Sequence, residues 1–119
     1  THYSLLTANM PTALITGASA GIGATFAQEL ASRQTDLVLV ARSADKLQQL
    51  ASQLQTQYQI KTHVLVYDLT QPDTATAIYD AVKAKGLTID LLINNAGFGD
   101  YGDFAERDGD RQVKMVQLN

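Results

Sequence analysis

Four short segments of this chain are apolar almost without interruption: Thr12–Thr16 (TALIT), Asp36–Ala41 (DLVLVA), Thr62–Tyr67 (THVLVY) and Leu91–Asn94 (LLIN). A strand with one face in water alternates polar and apolar residues, whereas a strand that is apolar at successive positions needs cover on both faces. Helical stripes run between these segments. Ser43–Gln57 repeats Leu47, Leu50, Ala51 and Leu54, continuing to Tyr58, with Ser43 as N-cap and Asp45 at the positive end of the dipole. Gln71–Lys85 carries Ala75, Ile78, Tyr79 and Val82, opened by a Thr70/Asp73 capping box and closed by Lys83, Lys85 and Gly86. Gly21–Arg33 offers Ile22, Phe26 and Leu30 as its stripe, with Ala27 and Ala31 beside it. Strand–helix–strand units of this kind close with right-handed crossovers, so the expected fold is a doubly wound α/β parallel sheet of strand order 3-2-1-4.

Composition excludes several classes. Hydrophobic residues make up 45% of 119, enough for a core, and the net charge of −3 gives no electrostatic basis for broad binding to nucleic acid or an anionic membrane. No cysteine is present, which removes disulfides, thiolate chemistry and Cys-ligated metals. Apolar runs such as Leu37–Ala41 fall far short of the ~20 residues that span a bilayer. Thr1–Met10 has no Lys or Arg and no sustained apolar stretch, unlike a signal peptide, so a cytoplasmic protein is expected. Residues 1–10 read as an extension, with Met10–Pro11 as an alternative start, and residues 11–119 as part of one domain. After the loop Asn95–Asp103, the segment with Val113, Met115, Val116 and Leu118 reads as a further helix. With no strand after it, the fourth strand would be a bare edge. The expectation is therefore the N-terminal portion of a longer protein.

The first strand runs into Thr16-Gly17-Ala18-Ser19-Ala20-Gly21-Ile22-Gly23, which opens the first helix. A helix N-terminus presents unsatisfied amides and partial positive charge, and holds a diphosphate where nothing blocks the approach. Gly17 suits the tight turn, Gly21 leaves room for phosphate oxygens, and Gly23 lets the helix lie close on the strand. No Lys-Ser or Lys-Thr pair follows, which excludes a Walker-type loop. An ordinary tight connection is the bland alternative, but three glycines within seven residues between strand and helix favour a dinucleotide.

With Thr16 before the glycines and Ile22 among them, the segment resembles the Thr-Gly-x-x-x-Gly-Ile-Gly pattern of the short-chain dehydrogenase/reductase family. Asn94-Asn95-Ala96-Gly97 matches that family's Asn-Asn-Ala-Gly motif, and Asp68-Leu69 falls where the family contacts adenine. The resemblance runs from about Thr12 to Asn119. It implies that Ile22 joins the cofactor site, that Asn94 and Asn95 mainly steady the sheet, and that Ala96 and Gly97 floor the nicotinamide-ribose pocket. Read from the residues alone, Asn94 and Asn95 bond nearby loop backbone, and Asp68 is equally a turn residue.

In the dinucleotide fold an acidic residue ~20 positions past the glycines takes the ribose hydroxyls. Here Arg42 stands 19 residues past Gly23, and a guanidinium holds a 2′-phosphate through charge-assisted bonds. Ser19 adds a hydroxyl, and Lys46 is more distant. NADP(H) is the expected cofactor; the alternative is a solvated Arg42 paired with Asp45.

The family moves a hydride between nicotinamide and a carbonyl or alcohol carbon, using a Tyr, a Lys, a Ser and an Asn. The resemblance carries over only Asn119, which ends the expected last helix 24 residues past Asn95; a helix end is its plain reading. Tyr79 with Lys83 is the only Tyr-x-x-x-Lys, and Tyr79 belongs to a core stripe. His2 and His63 suggest no metal, and Glu106, Asp108 and Asp110 read as a solvated face. Phe98–Phe104 would wall a substrate mouth. The expectation is the cofactor-binding half of an NADP(H)-dependent reductase or alcohol dehydrogenase acting on a small carbonyl or alcohol substrate. These 119 residues alone would be inactive, and the complete protein a homodimer or homotetramer. The alternatives are a non-catalytic NADP(H)-binding sensor or regulatory module, and a purely structural or interaction domain.

Overall fold

The computed structural model describes residues 10–95 and 113–118. Its elements are β1 (Thr12–Thr16), α1 (Gly21–Ser32), β2 (Asp36–Ala41), α2 (Ala44–Tyr58), β3 (Thr62–Val66), α3 (Thr74–Ala84), β4 (Leu91–Asn94) and β5 (Lys114–Gln117). All neighbouring strands are parallel, in the order β3-β2-β1-β4-β5. This contains the expected 3-2-1-4 order and extends it by one strand.

Alternation along each strand divides the core in two. Ala13, Ile15, Leu37, Leu39 and Ile93 pack with Ala27 and Ala31 of α1 and with Leu47, Leu50, Ala51 and Leu54 of α2. Leu14, Val38, Val40, Leu65 and Leu92 pack with Ile78 and Val82 of α3 on the opposite face. Successive strand residues point to opposite faces, so both faces can be apolar only because each has its own helical cover. Among the described residues no helix is long and apolar enough to cross a membrane.

Three local expectations are corrected. The residues of α1 that bury fully are Gly23, Ala27 and Ala31, while Ile22 is 60% exposed and Phe26 and Leu30 are half-buried. Small side chains face the sheet because this helix lies too close for large ones. The Thr70/Asp73 capping box does not form. Helix α3 starts at Thr74, Asp73 adopts a φ of 67°, and Thr70 bonds Asp68 instead. Lastly, Lys114–Gln117 is a strand rather than a helix. The open edge of β4 offers it hydrogen bonds, with the Lys114 amide donating to Asp90 O at 3.1 Å and the Leu118 amide to Asn94 O at 3.2 Å. A short apolar run does not by itself distinguish a helix from a strand.

His63 pairs in register with Val38, on the face covered by α3. Burial pushes its pKa below the ordinary 6.5, Lys85 and Lys61 act the same way, and Asp36 opposes them. A base with a depressed folded-state pKa contributes stability that is present above the unfolded value of about 6.5 and is lost as the pH falls through the folded value. Urea unfolding from pH 7.5 down to 5.5 is therefore expected to show a loss of stability that His63→Gln reduces. An equal slope in both proteins would assign the loss to other groups.

Candidate functional site

The carboxyl ends of β1, β2, β3 and β4 gather the polar residues. Past Thr16 the backbone turns at Gly17, whose φ of +65° favours glycine, and the Ala18 amide is tied to Val40 O at 3.1 Å. Ala20 is the extended N-cap of α1, among the described residues no side chain caps that end, and the first turn carries no acid. The bend thus presents a helix N-terminus that, among the described residues, no side chain caps, the condition for holding an anion.

Each glycine fits a different requirement. Gly21 is exposed at a φ of +60°, and a Cβ added there meets none of the described residues within 4 Å, so they leave the space before the helix open. Gly23 is buried, and a Cβ there would lie 2.3 Å from Gly17 O and 2.8 Å from Asn95 Nδ2. Ser19 is half-buried within the bend, and Ile22 stands exposed beside it. The open cradle at Gly21 and the close approach at Gly23 fit a diphosphate.

The Asn pair acts on this bend. Asn95 Nδ2 donates to Gly17 O at 3.1 Å, and its amide donates to Thr16 Oγ1 at 3.1 Å. Thr16 Oγ1 in turn donates to Asn94 Oδ1 at 3.0 Å, while Asn94 Nδ2 donates to Gln117 Oε1 at 3.0 Å. Thr16 and Asn94 are buried, and among the described residues no buried side-chain polar atom lacks a partner. Sequence reasoning used Thr16 only as part of the glycine pattern, with no bonding role, and gave Gln117 none. The signal for Thr16 was a hydroxyl ending a fully buried strand, which has to be satisfied by a neighbour.

Arg42 leaves the end of β2 exposed and, among the described residues, makes no ion pair; the alternative pairing with Asp45 does not form. Asp68 follows β3 and closes its own turn. Its Oδ1 accepts from the Thr70 amide at 3.0 Å and from Thr70 Oγ1 at 2.6 Å, and its Oδ2 from Gln71 Nε2 at 3.4 Å. The Thr70 bonds hold the carboxyl below its ordinary pKa, with a smaller contribution from the Arg42 charge. Leu69 beside it packs against the core under α3. Ala96, Gly97, the Phe98–Phe104 wall, the acidic residues 106, 108 and 110, His2 and Asn119 lie outside the described residues.

A family model described as short chain dehydrogenase matches residues 11–119. The very-long-chain 3-oxoacyl-CoA reductase of Macaca fascicularis is 40% identical over 113 residues, covering 90% of this chain and 35% of its own length. Among solved structures, a bulky-bulky ketone specific alcohol dehydrogenase from Comamonas testosteroni is 43% identical with a TM-score of 0.67, over 77% of this chain and 38% of that one. A short-chain dehydrogenase from Sphingobium yanoikuyae in complex with NADPH is 45% identical with a TM-score of 0.66, over 74% and 34%. The chain spans about a third or less of the length of the curated relatives it matches. Matched from end to end of its parallel sheet, glycine bend included, the chain belongs to the short-chain dehydrogenase/reductase family.

Proposed function

We propose that this chain is the NADP(H)-binding part of an oxidoreductase acting on a small carbonyl or alcohol substrate. The observation that carries the reading is the N-terminus of α1 behind Gly21, uncapped by any described side chain, with Gly23 pressed onto Gly17. A bound nicotinamide dinucleotide supplies the hydride; the residues of this chain bind and orient it. Backbone amides of the bend, between Gly17 and Gly23 and including Ile22, take the diphosphate. Asn95 keeps the bend in shape through Gly17 O. Asp68 and Leu69 flank the adenine, and the motif assigns Ala96 and Gly97 to the nicotinamide ribose. Asn119 is the one catalytic residue the motif pattern places within these 119 positions.

The choice of NADP(H) over NAD(H) rests on Arg42. It stands where a carboxylate would accept the ribose hydroxyls, and it is exposed without an ion pair among the described residues. A guanidinium there attracts a 2′-phosphate, and Ser19 offers a second donor. The NADPH complex of the Sphingobium relative supports the same choice.

Titration of the chain with each reduced cofactor, read from nicotinamide fluorescence, tests the proposal. NADPH is expected to bind at least about ten-fold more tightly, since one charge-assisted contact is worth ~1.5–3 kcal/mol. Tighter binding of NADH would refute the cofactor assignment, and absence of binding by either would refute the site.

A further inference from the structure

Arg42 and Asp68 leave neighbouring strands on the same side of the sheet. In the β2–β3 register Ala41 stands opposite Val66, and the Tyr67 amide donates to Ala41 O at 3.1 Å, so the pairing continues one residue past β3. The two chain exits are thereby held side by side. The Asp68 carboxylate is held in its own turn, Thr70 donating twice to one of its oxygens and Gln71 to the other. Arg42 forms no ion pair among the described residues, yet its charge is felt at Asp68. The carboxylate is within electrostatic reach of the guanidinium and outside contact with it.

We propose that Asp68 is a specificity-determining residue: its fixed negative charge beside Arg42 opposes a 2′-phosphate and limits the margin by which the site prefers NADPH to NADH. The proposal rests on the reading of Arg42 given above. A 2′-phosphate docked on Arg42 would meet attraction from the guanidinium and repulsion from the neighbouring carboxylate. Both groups face solvent, where the dielectric is high and salt screens, so the repulsion is a few-fold effect. NADH lacks the phosphate and is blind to this opposition. Any hydrogen bond from Asp68 to the adenine serves both cofactors equally and cancels in the ratio of their dissociation constants.

Asp68→Asn keeps an acceptor oxygen for Thr70 and removes the charge. Titration of the chain with NADPH and NADH at low salt is expected to move the ratio of dissociation constants about two- to five-fold further toward NADPH, and 1 M salt should erase the shift. Asp68→Ser, which also retains an acceptor, is expected to shift it in the same direction and stands in should the first variant unfold. A ratio that stays put, or moves toward NADH, overturns the proposal. Arg42→Ala, measured alongside, separates the two ideas. If it removes the NADPH preference while the Asp68 variants leave the ratio unmoved, only the role of Asp68 fails; if it leaves the preference intact, the reading of Arg42 itself fails.

Discussion

Gly23→Ala is expected to abolish measurable NADPH binding and to lower the unfolding free energy by about 3 kcal/mol. The added methyl would sit 2.3 Å from Gly17 O and 3.0 Å from Gly17 C, so it meets backbone rather than a side chain that could rotate aside. It would also sit 2.8 Å from Asn95 Nδ2, the donor that holds that same carbonyl. Relief requires α1 to lift from β1 or the bend to open, and either movement displaces the amides proposed to hold the diphosphate. Gly86→Ala is the control. That glycine also has a positive φ, +70°, but has nothing within 4 Å, and it follows α3 at the other end of the sheet. Its substitution should cost about 1 kcal/mol and leave the cofactor titration unchanged. Urea midpoints and NADPH titrations of both variants check the pair of outcomes. Wild-type stability and binding in Gly23→Ala would mean that α1 does not need its close seat.

Arg42→Asp is expected to reverse the cofactor preference. The substitution exchanges an attraction for a repulsion at the 2′-phosphate and puts a carboxylate where the ribose hydroxyls of NADH can donate to it. NADPH affinity should fall about 100-fold or more, while NADH affinity holds or improves. Arg42 is exposed and makes no ion pair among the described residues, so stability should change by no more than about 0.5 kcal/mol. The binding effect is thereby separable from any unfolding. Dissociation constants for both cofactors, with a urea midpoint for the variant, decide the matter; an unchanged preference would remove Arg42 from the phosphate site.

The two substitutions probe different kinds of information in the chain. The value of Gly23 is a steric fact about a helix crossing a strand, and the structure gave it an atomic partner in Gly17 O. The value of Arg42 is a matter of position and charge, legible from its place 19 residues past the last glycine of the bend. Where sequence reasoning erred, the pattern it read competed with another partner, near in the chain or far from it. Thr70 and Asp73 match a capping box, but Asp68 lies closer to Thr70 along the chain and accepts from its hydroxyl. The apolar residues from Val113 to Leu118 suit a helix, but the exposed edge of β4 supplies backbone partners that an isolated segment does not reveal. Ile22, Phe26 and Leu30 form the larger stripe on α1, yet tight seating selects Gly23, Ala27 and Ala31.

The sequence by itself determined the parallel sheet, the order of its first four strands, and the bend between β1 and α1. Those features follow from rules that act along the chain: apolar residues at successive positions demand cover on both faces, and a glycine at positive φ marks its own turn. Only the tertiary structure decided which polar groups meet. Asn95 finds Gly17 O, Thr16 finds Asn94, Asn94 finds Gln117, and the Arg42 charge is felt at Asp68, each across the carboxyl ends of two neighbouring strands. Hydrogen bonds and charges act over a few ångströms in space, and Thr16 and Asn94 come within that range only after the sheet has brought β1 and β4 together.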